Sequence, residues 1–200
     1  VLGGAKVTSG DLADGQTYAS TASTYGPDAT QLSVLIEKGT NGVVLNGTTN
    51  VSTADVDATN GVIHIVDGVL MPLDVVGHAS ANSNFTSLVG ALVAADGDLV
   101  TVLSGDGPFT VFAPLNSAFA AIQSTVDGLT TEQLAKVLTY HVASGNVRSS
   151  VLTDGMEVST VNAPETFTVN ISGGAVTLTD AGGGVSTVLL TDVQATNGVI

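Results

Sequence analysis

The stretch DVDATNGVI, Asp55 to Ile63, returns almost unchanged as DVQATNGVI, Asp192 to Ile200, about 137 residues further on. A period of that length belongs to whole domains, whereas a solenoid turn repeats every 20 to 50 residues or so. The chain is therefore constrained to carry parts of two copies of one domain-sized fold. The matching extends upstream. VLGGAKVTSGDL from Val1 aligns with VASGNVRSSVL from Val142 after one deletion, and TQLSVLIEKGTNGVVLNG shares a strand-rich pattern with TFTVNISGGAVTLTD.

Between the two matching stretches the periodicity is helical. Asn84 is placed to cap a helix that carries Phe85, Leu88, Val89, Leu92 and Val93 on one face through Ala95. A short helix is predicted over Asp98–Leu103, a turn at Gly105–Pro108, then a buried strand in PFTVFAPLN. Helices follow at Ser117–Gln123 and at Thr131–Tyr140, the latter opened by Thr131 with Leu134, Val137 and Leu138 inward. After His141 the period becomes two, predicting strands near Glu157–Val161, Thr166–Ile171, Ala175–Thr179 and Ser186–Val193. Helices first and strands later read as α+β. Asn60-Gly61 is a turn signal, and the apolar run Val62, Ile63, Ile65, Val66 predicts a strand in the interior of a sheet, ended by Pro72.

Three segments together resemble the fasciclin domain family: FTVFAPLNSAF at Phe109–Phe119, LTYHV at Leu138–Val142, and NGVIHIVDGVLMP at Asn60–Pro72. The resemblance covers essentially the whole chain. It implies a β-sandwich or wedge of mostly antiparallel strands with short helices packed against it. It also implies that residues 1–72 are the C-terminal half of a first unit and residues 73–200 a second unit lacking its final strand. The motif residues it singles out are Phe109, Thr110, Val111, Phe112, Ala113, Pro114, Asn116, Phe119, Tyr140, His141 and Val142, and, in the other copy, Asn60, Gly61, Val62, Ile63, His64 and Asp67. Read physically, the aromatics among them are core material in a chain with 4% aromatic residues, Pro114 stops a strand, and Asn116 or Ser117 can cap the next helix.

Four Lys and Arg against 18 Asp and Glu give a formal charge of −14, which repels a phosphate backbone and an anionic membrane alike. Nucleic acid is excluded as a partner, and no apolar run reaches the roughly 20 residues a membrane-spanning helix needs. Without cysteine there are no disulfides or thiolate metal sites. His64, His78 and His141 show no ligand spacing, and His64 and His141 are read as bonded to backbone. Asp55-Val56-Asp57 and Asp96-Gly97-Asp98 lack the glycine and glutamate offsets of a calcium loop and read as solvated acidic turns. No Gly-x-Ser-x-Gly elbow is present, and Gly182-Gly183-Gly184 precedes a strand pattern, so it reads as a hairpin connection.

No enzyme, no cofactor and no metal are therefore expected. Composition points to a bacterial or archaeal protein. The resemblance implies an extracellular or cell-surface adhesion or structural module whose partners are neighbouring fasciclin-like domains, other copies of itself, surface proteins or glycans. Its alternative is a self-assembling subunit of a filament or surface layer. A division inside both copies is expected either from a window on a longer array or from copies that complete one another by exchanging halves.

Overall fold

The computed structural model of the chain describes Val1 to Ile200. Its N-terminal part is an antiparallel meander in the order of the sequence: β1 (Gly15–Ser20), β2 (Ser33–Gly39), β3 (Gly42–Leu45), β4 (Thr49–Ala58) and β5 (Gly61–Val66). The run Val34-Leu35-Ile36 on β2 is buried throughout, as a central strand covered on both faces must be. Ala58 pairs with Gly61, so Thr59 and Asn60 form the turn and Gly61 already belongs to the strand. β5 is not the interior strand expected from its apolar run. It pairs only with β4, and Ile63 and Ile65 are 54% and 50% exposed.

A helical layer follows, made of α1 (Val75–Ala81), α2 (Thr86–Ala94) and α3 (Leu99–Leu103), and resumed after β6 (Phe109–Val111) by α4 (Asn116–Ala121), α5 (Gln123–Val126) and α6 (Thr131–Tyr140). Leu88, Ala91 and Leu92 of α2 meet Phe119 of α4 and Leu134 and Leu138 of α6 in the main core. Local chemistry fixes the helix starts. Asp74 accepts from Gly77 N at 2.6 Å and opens α1. Asn82, rather than the expected Asn84, supplies a cap by accepting from Asn84 N, and α2 begins at Thr86. Thr130, one residue before the expected Thr131, caps α6 in a reciprocal box with Gln133. Asn116 does not cap its own helix. Its Oδ1 accepts from Ser87 N at 2.9 Å and ties α4 to α2.

The remaining strands are β7 (Val142–Ser144), β8 (Glu157–Ser159), β9 (Thr166–Ser172), β10 (Ala175–Asp180), β11 (Val185–Thr187), β12 (Gln194–Ala195) and β13 (Gly198–Val199). They form two sheets, β11-β10-β9-β8 and β12-β13-β6-β7, joined by a bridge between Ala143 and Thr160. Every pair is antiparallel except β13 with β6. The architecture is α+β. The strand expected over Ser186–Val193 ends at Thr187, and Leu189 and Leu190 lie exposed before β12. The triple glycine makes the β10–β11 connection, held by Asp180 Oδ1 accepting from Gly182 N and Gly184 N at 2.8 Å each.

Candidate functional site: motif residues and exposed surfaces

Residues Phe109–Phe119 lie inside the C-terminal part of the fold. β6 is flanked on both edges, parallel to β13 and antiparallel to β7, so its backbone is consumed by pairing. Thr110 is buried, donating from Oγ1 to Gly145 O at 2.6 Å and accepting from Val147 N at 2.9 Å. Phe109, Val111 and Ala113 pack against the main core, where Phe119 and Val142 are buried. Phe112 meets Phe167 edge-on at 4.8 Å in a second, smaller core with Tyr140, whose hydroxyl donates to Thr166 O at 2.9 Å. Pro114 is half-buried at the exit from β6, and His141 Nδ1 lies 2.8 Å from Val137 O.

The other motif set, on the β4–β5 hairpin, faces outward. An apolar groove of about 840 Å³ lies between the N-terminal segment and the sheet, lined by Leu12, Val34, Ile36, Val43 and Val62. Its titratable groups are already engaged. Lys6 Nζ is 2.7 Å from Asp57. His64 accepts at Nδ1 from Asp55 N, which leaves the proton on Nε2 facing Val7 O at 3.0 Å. Outside the groove, Asp67 accepts from both the backbone N–H and the side-chain amide of Asn50, and these bonds hold its carboxyl below the usual range.

A paired device fastens the start of each copy to its hairpin. Ser9 donates its backbone N–H and hydroxyl to the two oxygens of Asp55, and Ser149 does the same to Asp192. Both aspartates adopt left-handed backbone, φ 62° and 64°, which re-aims the strand in the manner of a bulge. Asp55, taken from sequence as part of a solvated acidic turn, is thus a clasp residue whose carboxyl is held low by the Ser9 bonds.

Helix α1 had no counterpart in the sequence reading, which noted His78 only as lacking metal-ligand spacing. His78 is wholly buried where the two parts of the chain meet, with the Tyr18 ring of β1 at 5.7 Å, and neither ring nitrogen has a hydrogen-bond partner. Burial pushes its pKa down to about 4, outweighing the Gln194 backbone and the Asp74 charge, which act the other way. Around it the junction is polar: Asn82 donates to the Tyr18 hydroxyl at 3.1 Å, Asn84 to Gln16 at 2.8 Å, and Gln194 N to Ser33 Oγ at 2.9 Å. No three His, Asp or Glu side chains converge in a way that could hold a metal ion, and no helix is long and apolar enough to cross a membrane.

The family model of the fasciclin domain matches residues 1–72 and 83–200. The chain belongs to the fasciclin family. Among fasciclin relatives, Protein sll1483 of Synechocystis is 43% identical over 127 residues, spanning 61% of this chain and 66% of that protein. The cell surface glycolipoprotein MPB83 of Mycobacterium bovis is 34% identical over 116 residues, 52% of each chain. A domain pair from the insect cell adhesion molecule Fasciclin I aligns with a TM-score of 0.57 at 18% identity, covering 92% of this chain and 65% of that one, which establishes the shared fold. The fasciclin chain described here thus spans between half and two thirds of these proteins.

Proposed function

We propose that this fasciclin chain is part of an extracellular or cell-surface module that works by protein–protein or protein–glycan contact and performs no catalysis. The observation that carries this reading is the character of the groove along β2–β5. It is apolar, and its lysine and histidine are tied to neighbouring groups, so it offers contact area rather than a reacting centre. Its relatives lend support, one being a surface glycolipoprotein and another an adhesion molecule. Among the motif residues, Asn60–Ile63, His64 and Asp67 are placed to meet a partner, while Phe109–Phe119 and Tyr140–Val142 act by building the core. The charge of −14 disfavours nucleic acid and anionic lipid as partners.

Beads coated with the chain should clump with one another, or adhere to cells or glycan-coated surfaces, more than albumin-coated beads do. Equal behaviour across 0.05–0.5 M salt, where charge repulsion is progressively screened, counts against the adhesive reading. The unpaired outer edge of β5 favours a second reading, a subunit of a filament or surface layer. Ordered fibres in electron micrographs of the native assembly support it, and isolated particles on a flexible stalk refute it.

A further inference from the structure

The chain divides into two bodies that share no core. Neither hydrophobic core contains a residue before Val75. No strand pairing and no backbone–backbone hydrogen bond joins the sheet β1–β5 to the residues from Val75 onward. Residues 69–74, which cross between the bodies, have no secondary structure, and Val69 and Met71 are 84% and 66% exposed.

What joins the bodies is a seam of side chains on one face of the N-terminal sheet. Tyr18 of β1 and the wholly buried Leu35 of β2 stand opposite one another on that face, while Val34 and Ile36 line the groove on the other. Across the seam Tyr18 Oη accepts from Asn82 at 3.1 Å, Gln16 accepts from Asn84 at 2.8 Å and donates to Ser83 at 3.2 Å, and Ser33 Oγ accepts from Gln194 N at 2.9 Å. The β3–β4 turn closes on the end of α1, where a Cβ on Gly47 would stand 2.8 Å from Ala81 O. A surface held by polar side chains, with no common core, leaves its two bodies free to move apart.

His78 lies in this seam, shut off from water, with the Tyr18 ring at 5.7 Å and no hydrogen-bond partner on either nitrogen. A proton added there would be an unsolvated charge. The groups facing the ring are the Asp74 carboxylate at the start of its own helix and the Tyr18 phenol; α2, α3 and β12, also packed on α1, carry no titratable side chain. Glu37 of β2 is bonded to Gln16 at 3.0 Å. Parting the seam lifts Tyr18 from the imidazole and lets water solvate it.

We propose that the seam is a proton-gated hinge, in which protonation of His78 parts the N-terminal sheet from α1 about residues 69–74 while the fold on each side stays intact. The direction follows from a pKa of about 4 in the closed form against an ordinary 6.5: the open form binds the proton, so acid favours opening, with no effect above pH 6.5 and the full effect below about 4. Between pH 7 and pH 5 the ratio of open to closed should rise about 20-fold. The hinge goes beyond the contact function proposed above and holds whatever the two bodies bind.

Amide hydrogen exchange of the 200-residue chain, followed by NMR from pH 7.5 to 4.5 and expressed as protection relative to an unstructured peptide, reads the opening directly. Three amides separate the alternatives: Gln194 N, bonded across the seam; His78 N, bonded to Asp74 O within α1; and Val169 N, bonded to Met156 O in the smaller core. Gln194 should be the least protected. Its protection should be level above pH 6.5, fall about 20-fold between pH 7 and pH 5, and lose that fall in His78→Met. Equal protection of Gln194 and Val169 means that the seam opens only when the whole chain unfolds, and equal protection of Gln194 and His78 means that α1 frays. Either result overturns the hinge, as does a Gln194 protection that ignores pH. Should His78→Met fail to fold, the parent decides alone, because a fall confined to the lowest pH values belongs to carboxylates and overturns the proposal.

Discussion

Acid should begin to loosen this chain well above pH 4, and His78 sets the window. The imidazole is wholly buried without a hydrogen-bond partner, and its pKa in the fold is about 4 against an ordinary 6.5. Between those values the unfolded chain holds a proton that the folded chain refuses. The unfolded state therefore binds more protons, and stability rises with pH across the window. The His78 contribution is complete above pH 6.5, lost progressively as pH falls, and exhausted below about 4. Integrated from pH 7 to pH 5, the loss is about 2 kcal/mol. With a urea slope near 2 kcal/mol/M, the midpoint should drop by about 1 M. The other titratable groups facing the ring are Asp74 at the start of its own helix and Tyr18 on β1, whose hydroxyl is pushed further up from its ordinary range by burial. His78→Met keeps the volume roughly constant without a titrating group. The variant should lose about 2 kcal/mol less than the parent between pH 7 and pH 5, measured by urea unfolding at the two pH values. A parent midpoint that does not move, or a variant that moves as far as the parent, would refute the reasoning.

Three further outcomes are expected. Asn197→Ala should destabilise the C-terminal part by about 3 kcal/mol, because three hydrogen bonds, two of them buried, go at once, whereas Asn60→Ala should change the melting temperature of the same chain by less than about 1 °C. Thr130→Ala removes the cap of α6 and should cost about 1 kcal/mol in chemical denaturation, with Thr130→Ser retaining most of it. The Asp55 carboxyl is held low by Ser9, so its stabilisation is present above the ordinary 3.8 and is lost as pH falls through the depressed value. Asp55→Asn should flatten that part of the acid-unfolding curve below pH 4, and a curve of unchanged shape would count against the clasp.

Much of the fold was legible because it rests on local signals. The repeat set the domain scale, the change of period at His141 separated helices from strands, and the helix expected over Thr131–Tyr140 has those bounds, with its cap one residue earlier at Thr130. Helix α1 was hidden because Gly77, His78 and Ser80 interrupt any apolar stripe. Its start depends on Asp74, and its packing on β12, far along the chain. The apolar run of β5 misled, because hydrophobicity alone does not encode position in a sheet: the strand lies at the edge, paired only with β4, and Ile63 and Ile65 stay half exposed. His78 shows the same limit, since it is buried against Tyr18 of β1, which only the tertiary fold brings to it.

The parallel pairing of β6 with β13 also dictates an order of events during synthesis. Phe109 and Thr110 leave the ribosome long before Gly198 and Val199, a delay of roughly 5–20 s at ordinary translation rates. Throughout that interval one edge of β6 is unpaired, so the C-terminal sheet is closed late, by a contact between residues about 90 apart in the chain, and closure of that sheet rather than formation of the helices should set the pace at which this part folds.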